Sequence, residues 1–194
     1  GEVFKCMWKG TPVAVKRIMN VADMKKFMQE ARMMHSISHP NCVRLYGVCA
    51  PPDSAIVMEW MGGGDLLQFL ARRPLSKLQR RLSLFRQICS GLNSLHSHSP
   101  DPIIHADLKP ANILLDSDEK IAKIADFGLS KTKTASYAGS NAMGTMLYFA
   151  PEMLLNGVLS RRATDIYALG LIFWEMLTGK LVWHNPDGSP FQPF

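Results

Sequence analysis

The stretch IIHADLKPANILL, residues 103–115, is the feature that most limits what this chain can fold into. It sets four polar side chains at fixed spacings inside an apolar frame, namely those of His105, Asp107, Lys109 and Asn112. Short apolar runs such as ILL are typical of buried strands. Charged side chains beside such runs need partners, because burying an unpaired charge is costly. The stretch therefore reads as short strands and loops that carry these polar side chains.

The composition indicates a folded protein. The 194 residues suffice for one large domain or two small lobes that share a core. Apolar residues make up 47% of the chain, so burial is not limiting and disorder is not expected. The net charge of +6 is modest, and the arginines occur mostly in isolated pairs without neighbouring aromatic residues. Such pairs indicate solvated helix faces and argue against a nucleic-acid site.

The cysteines and the most apolar segment point to an intracellular, cytoplasmic protein. The four cysteines form no CxxC pair and no metal-ligand spacing, so we expect reduced thiols. No signal peptide is predicted at the N-terminus. The most apolar helix candidate, IYALGLIFWEML, is too short to span a bilayer and contains Glu175. We therefore expect no membrane span.

The N-terminal part reads as strands around one helix. TPVAVKRI alternates, with Ala14 and Lys16 on one face, and predicts a strand. CVRLYGVC and AIVMEW predict two more strands, separated by the turn APPDS. A helix from about Asp23 to Met34 is predicted between the strand TPVAVKRI and the strand CVRLYGVC, with Glu30 at the edge of its apolar stripe. That stripe comprises Met24, Phe27, Ala31 and Met34.

The rest of the chain reads mainly as helices. MGGGD predicts a flexible connector that ends in a helix cap, Asp65, before the helix LLQFLARR. A second helix has a predicted apolar stripe, and a later one covers TDIYALGLIFWEMLTG. The strand-rich part ends near Met61, so we expect two lobes with a ligand cleft between them. The predicted stripe of the second helix is Leu78, Leu82, Phe85, Cys89, Leu92 and Leu95.

Five motifs, in this order, resemble those of the eukaryotic protein kinase catalytic domain. They are VAVK ending at Lys16, FMQEARMM around Glu30, HADLKPAN around Asp107, ADFG around Asp126, and GTMLYFAPE over 144–152. The resemblance implies an α+β, bilobal fold with a small antiparallel-sheet N-lobe and a mostly helical C-lobe. The implied bounds are 1–61 for the N-lobe and 62–194 for the C-lobe. The family's first strand, two loop glycines and the C-terminal third of its helical lobe have no counterpart here, so a partial domain is implied.

The resemblance also implies the reacting groups. Asp107 would accept the proton of the substrate hydroxyl, and Lys109 would place a positive charge beside the transferring phosphate. Lys16 would contact the nucleotide phosphates and pair with Glu30. Asn112 and Asp126 would hold Mg²⁺, a cation that prefers hard oxygen ligands.

The implied nucleotide pocket lies between the lobes, and its cofactors are ATP and Mg²⁺. Gly1 would be the last glycine of the loop over the phosphates, and Met58 would stand at the back of the pocket. Glu59 to Met61 would form the hinge. The adenine would lie between Val3, Ala14 and Leu114. Asp165, on the later helix, would brace the backbone of the catalytic loop.

These features predict a protein kinase that transfers the γ-phosphoryl group of ATP to Ser or Thr hydroxyls of proteins. Lys109 in DLKPAN and Thr145 in GTMLY resemble Ser/Thr kinases, whereas FMQEARMM, VRLYGVC and LGLIFWEMLTGK resemble the tyrosine-kinase-like branch. A tyrosine-kinase-like Ser/Thr kinase fits both. The alternative is a pseudokinase scaffold that binds nucleotide or a partner without turnover. Such proteins usually lack one of the key polar residues, all of which are present here. A basic nucleic-acid module is a distant third.

Ala106 is the main departure within the motifs, since the family usually has Arg before the catalytic Asp. Where present, that Arg holds a phosphate on the activation loop through charge-assisted hydrogen bonds. Ala106 has neither donor nor charge, whereas Asp107 does not depend on the Arg chemically. We interpret Ala106 as a change of regulation, with control by a regulatory domain or partner outside this segment.

Overall fold

The structure is a computed structural model that describes residues 2–17, 28, 31–32, 34–49, 54–72, 77–127, 146–156 and 161–183. Within these residues the chain forms one four-stranded sheet, one three-stranded sheet and a set of helices. The combination confirms the predicted α+β class. No helix among the described residues has the length and apolar character needed to cross a membrane.

The first sheet is antiparallel, with strand order β1-β2-β4-β3. Its strands are β1 (Val3–Trp8), β2 (Thr11–Arg17), β3 (Leu45–Cys49) and β4 (Ala55–Glu59). The last three confirm the predicted strands, whereas the sequence pattern gave no prediction for β1.

A two-residue turn joins β1 to β2. Lys9 and Gly10 both have positive φ, at 49° and 79°. Such turns match the right-handed twist of the strands that they connect. The turn therefore sets the register in which Val3 lies opposite Lys16 and Lys5 lies opposite Ala14.

The predicted helix between β2 and β3 lies partly outside the described residues. Those that are described are helical at 28, 31–32 and 34–36. Ala31 and Met34, two of the four stripe residues, are buried as predicted. The proposed cap, the other two stripe residues and Glu30 lie outside the described residues.

The second sheet contains β5 (Gly64–Asp65), β6 (Ile113–Leu115) and β7 (Ala122–Ile124), all antiparallel. The interpretation of the glycine run as a flexible connector is therefore wrong at Gly64, which is part of a strand. Close packing explains the glycine before it, since a Cβ on Gly63 would lie 2.2 Å from the Asp116 carbonyl oxygen.

Helix α1 (Leu66–Arg72) follows β5 directly. Asp65 caps it as predicted, because its Oδ1 accepts a hydrogen bond of 2.8 Å from the Gln68 N–H. The helix buries Leu66, Phe69 and Leu70.

Helix α2 (Leu78–His96) is present as predicted, but its predicted apolar stripe is partly wrong. Leu78 and Leu82 are 51% and 43% exposed, whereas Leu84 and Ile88 are buried. The helix packs against β7, and the face in contact with the core is therefore not the predicted one.

The C-terminal helices are α3 (Pro151–Asn156) and α4 (Arg162–Thr178). Helix α4 packs against α2, and the rings of Phe85 and Phe173 stack at a centroid distance of 4.1 Å. Gly179 ends α4 with φ of 68°, a left-handed conformation that glycine adopts without a Cβ penalty.

Candidate active site

Asp165, in the first turn of α4, holds the polar loop predicted at residues 105–112. Its carboxylate is almost fully buried. Oδ2 accepts a hydrogen bond from the His105 N–H at 2.8 Å, and Oδ1 accepts one from the Ala106 N–H at 2.9 Å. The His96 ring also contacts Oδ2, at 2.8 Å. The bracing contact between α4 and the loop backbone is thus as predicted.

The loop turns sharply at Ala106, whose φ is +62°. This left-handed conformation is costly for a residue with a Cβ. The two hydrogen bonds to Asp165 hold the backbone on both sides of the turn. Ala106 therefore matters for the backbone geometry as well as for the missing charge.

The buried imidazole of His105 fixes the interior side of the loop. Its Nδ1 lies 3.3 Å from the Asp107 N–H, which donates to it, and its Nε2 lies 2.9 Å from the Ala125 carbonyl oxygen. Since Nδ1 accepts and Nε2 faces an acceptor, these contacts fit the neutral tautomer with the proton on Nε2.

The Asp107 carboxylate is buried and oriented by residues of its own loop. The Asn112 Nδ2 donates to the Asp107 carbonyl oxygen at 2.7 Å and to Oδ2 at 3.2 Å. The Lys109 ammonium forms an ion pair with Oδ1 at 3.2 Å. A carboxylate held in this way is suited to align a hydroxyl donor, and the positive charge lies next to it.

Asn112 and Asp126 lie at the same end of the second sheet. Ile113 pairs with Ile124, and the Ala125 N–H donates to the Asn112 carbonyl oxygen at 2.9 Å. Because the Asn112 Nδ2 is used within the loop, Oδ1 is the end of the amide that can ligate a cation. An amide oxygen and a carboxylate fit the donor preference of Mg²⁺, which needs only one or two protein ligands.

Lys16 reaches the Asp126 carboxylate. Its Nζ donates to both oxygens, at 2.6 and 2.7 Å, across a separation of 110 residues. The sequence predicts a Lys16–Glu30 pair, but Glu30 lies outside the described residues. The Lys16–Asp126 contact was not predicted.

The pairing of the first sheet places the predicted nucleotide residues on one face. Ala14 lies opposite Met58, and Lys16 lies opposite Val3 and Ile56, so these side chains share a face. The remaining predicted members lie on the hinge and the second sheet: Glu59 ends β4, Met61 is buried after it, and Leu114 is central in β6. Gly1 lies outside the described residues.

An ion pair that the sequence analysis missed joins Glu59, in the predicted hinge, to β7. The Lys123 Nζ donates to both Glu59 oxygens, at 2.6 and 2.8 Å. Glu59 Oε2 also accepts from the Arg44 N–H at 3.3 Å. The signal for this pair is a lysine in the three-residue strand AKI, where both neighbours are fully buried. Such a lysine needs an anionic partner.

The segment GTMLYFAPE is described from Met146 onward, so Thr145 lies outside the described residues. The Tyr148 hydroxyl donates to both oxygens of the buried Glu175, at 2.9 and 3.0 Å. Burial, with the Glu175 charge, raises the pKa of Tyr148 far above its usual value. Tyr148 is therefore a fixed donor that ties the segment to α4, a link that the sequence analysis missed.

Comparison with known proteins gives a match over nearly the whole chain. The protein kinase domain model matches residues 1–192. Serine/threonine-protein kinase CTR1 of Arabidopsis thaliana is 37% identical over 195 residues, or 95% of this chain. Mitogen-activated protein kinase kinase kinase 10 of Mus musculus is 34% identical over 203 residues, or 96% of this chain. Seven transmembrane domain-containing tyrosine-protein kinase 1 of Dictyostelium discoideum is 36% identical over 192 residues, or 93% of this chain.

The chain spans only a minor part of each of these relatives. It covers 23% of the Arabidopsis protein, 21% of the mouse protein and 27% of the Dictyostelium protein. The shared region contains the loop held by Asp165 and the motifs around Lys16 and Asp126.

Proposed function

Because this chain belongs to the protein kinase domain family, we propose that it transfers the γ-phosphoryl group of ATP to Ser and Thr hydroxyls of protein substrates. One observation carries the proposal: the Asp107 carboxylate is oriented by Asn112 and Lys109 inside a loop whose backbone is held by Asp165. A protein that only binds its ligand has no need of a carboxylate positioned in this way.

The proposed roles are those that the resemblance to the kinase family implies. Asp107 accepts the proton of the attacking hydroxyl, and Lys109 places positive charge beside the transferring group. Lys16 contacts the phosphates, while the hinge at Glu59–Met61 and the face around Ala14 and Met58 hold the adenine. Asn112 and Asp126 hold Mg²⁺. When bound, the cation neutralises phosphate charge during transfer.

The choice of Ser and Thr as acceptors rests on Lys109 in DLKPAN and on Thr145. The serine/threonine name of the Arabidopsis relative supports it, whereas the Dictyostelium relative is named a tyrosine kinase. Phosphoamino-acid analysis of a labelled substrate therefore belongs in the test. Dominant phosphotyrosine would show that the acceptor class is wrong.

The central experiment compares Asp107→Asn with the parent in the full-length protein. Loss of a positioned proton acceptor typically costs about 10²–10⁴-fold, so we expect kcat to fall by that factor while nucleotide still binds. The measurement is transfer of labelled phosphate to a generic protein substrate, alongside nucleotide affinity.

A matched control is Asp118→Asn, which changes an exposed carboxylate on the turn between β6 and β7. We expect parental activity from it. If Asp107→Asn labels substrate at the parental rate, the enzyme proposal fails. If the parent binds nucleotide without transfer, the scaffold alternative is correct.

A further inference from the structure

A contact between a cation and an aromatic ring joins β1 to the proposed hinge. The Lys5 Nζ lies over the Trp60 ring, 5.1 Å from its centroid. An ammonium within about 6 Å of an indole centroid is attracted by the negative face of the ring. The contact therefore ties the outer strand of the first sheet to the segment that follows β4.

The strand register places this contact on the face proposed to hold the adenine. Lys5 lies opposite Ala14, and Ala14 lies opposite Met58, so the three form one row across the sheet. Val3 is two residues before Lys5 and points to the same side. Because β2 separates β1 from β4, their chains are about 9–10 Å apart. The contact between Lys5 and Trp60 bridges that distance on the proposed nucleotide face.

The Trp60 ring is also held from its other sides. It is partly buried and packs against the hydrophobic core. A Cβ on Gly62 would lie 3.3 Å from the Trp60 Nε1 and 2.3 Å from the Ser117 Oγ, so the backbone at Gly62 passes close to both side chains. The indole is thus enclosed by the core, by the backbone at Gly62 and by the Lys5 ammonium. Of these three contacts, only Lys5 belongs to β1.

We propose that Lys5 is a positioning residue of the nucleotide pocket, which acts through Trp60 to hold β1 and the hinge at the spacing that admits the adenine. The inference rests on the proposed function for the identity of the ligand. The ammonium does not contact the nucleotide in this scheme. Its effect is that the pocket is already formed before binding, so less of the binding energy is lost in ordering the site.

The strength of the contact limits the size of the effect. When the contact is lost, fewer molecules have β1 and the hinge at the right spacing, and the apparent affinity falls by that fraction. An exposed contact between a cation and a ring corresponds to a factor of about two to five. We therefore expect Lys5→Met to weaken nucleotide binding by about two- to fivefold and to raise the KM for ATP equally, with kcat unchanged.

The test is displacement of a fluorescent adenine nucleotide from the full-length parent, Lys5→Met, Lys5→Arg, Trp60→Leu and the double variant Lys5→Met/Trp60→Leu. The competitors are adenosine and a non-hydrolysable ATP analogue with Mg²⁺. Because Lys5 acts at the adenine end of the pocket, Lys5→Met should weaken both competitors by the same factor. Lys5→Arg keeps a cation over the ring and should bind both as the parent does. In the Trp60→Leu background, Lys5→Met should cause no further loss.

Lys9→Met is the matched control. The Lys9 Nζ lies over the Trp8 ring at 5.2 Å, which is the same kind of contact in the same hairpin but without a hinge residue. We expect it to leave both affinities at the parental value. Parental affinities in Lys5→Met would overturn the proposal. A greater loss for the ATP analogue than for adenosine would also overturn it, because Lys5 would then bind the phosphates directly. So would a loss that persists without Trp60.

Lys5 is exposed, so Lys5→Met and Lys5→Arg should fold. If Trp60→Leu does not fold, the comparison of adenosine with the ATP analogue in the two Lys5 variants decides alone. The phosphoryl-transfer assay is independent of these measurements. A protein that shows the binding changes without transferring phosphate retains this inference and loses the proposed function. An active protein in which Lys5→Met changes neither binding nor KM retains the function and loses the inference.

Discussion

At the scale of single residues, Ala106 differs from the other positions of the loop 105–112 in two properties. Its side chain lacks a charge where the family usually has one, and its φ of +62° is left-handed. Asp165 holds the backbone on either side of it. The first property concerns regulation and the second concerns stability, so the two can be tested separately.

The strain at Ala106 predicts that Ala106→Gly stabilises the protein. Glycine removes a Cβ penalty of about 1–2 kcal/mol in the folded state. Its greater conformational entropy stabilises the unfolded chain by a smaller amount, so the net gain in the free energy of unfolding is about 0.5–1 kcal/mol. The measurement is urea unfolding. Ala168→Gly, in the buried part of α4, should instead destabilise. A loss of stability for Ala106→Gly would contradict this account.

The missing charge at Ala106 predicts activity without phosphorylation of the segment between Asp126 and Met146. The Ser, Thr and Tyr residues of that stretch lack the usual Arg as a phosphate partner. We expect phosphatase treatment of the full-length protein to change kcat/KM by less than tenfold. A larger fall that is reversed by rephosphorylating this segment would mean that another cation has taken over the role of the missing Arg.

At the scale of elements, two glycines in helix interiors give a matched pair. A Cβ on Gly91, in α2, would lie 2.5 Å from the Asn41 carbonyl oxygen, whereas one on Gly170, in α4, would meet nothing within 4 Å. Alanine favours a helix by about 1 kcal/mol over glycine in both cases. We expect Gly170→Ala to raise the melting temperature and Gly91→Ala to lower it. Equal shifts would show that α2 tolerates the added Cβ.

How far the sequence predicts the structure depends on whether a feature is local. The cap at Asp65 and the strand β2 follow from patterns within a few residues, and the structure contains them. The loop around Asp107 was predicted from its resemblance to the catalytic loop of the kinase family. The buried side of α2 does not, because Leu82 and Leu84 are equally apolar and only the packing on β7 selects between them. The Lys16–Asp126 pair joins residues far apart in sequence, so no local pattern specifies it.

At the scale of the whole molecule, ion pairs join the first sheet to the second. One is the contact between Lys123 of β7 and Glu59 at the end of β4, whose side chains are 16% and 25% exposed. Removing one partner of a fully buried pair costs about 3–5 kcal/mol, and an exposed pair contributes up to about 1 kcal/mol. This partly exposed pair should lie between those limits.

We therefore expect Lys123→Met to destabilise the protein by about 1–3 kcal/mol and to raise the KM for ATP, because Glu59 belongs to the proposed hinge. The measurements are urea unfolding and initial rates. Lys120→Met should change neither quantity, and Glu59→Gln in the Lys123→Met background should recover part of the stability. Unchanged stability in Lys123→Met would show that the pair makes no net contribution.

The segment before β3 connects the two sheets through backbone hydrogen bonds, in addition to the chain that runs from β4 to β5. Asn41 and Val43 exchange backbone hydrogen bonds with Ile124 of β7, at 2.9 and 2.8 Å, while the chain also passes between the sheets at 60–63. Two backbone connections favour rotation of the first sheet about the line that joins them, and the ion pairs described above oppose that rotation. Val13 pairs with Glu59 at the end of β4, and Lys16 lies three residues farther along β2, about 10 Å away. A turn of the first sheet about that line would therefore move Lys16 relative to the second sheet, where the phosphates are proposed to bind.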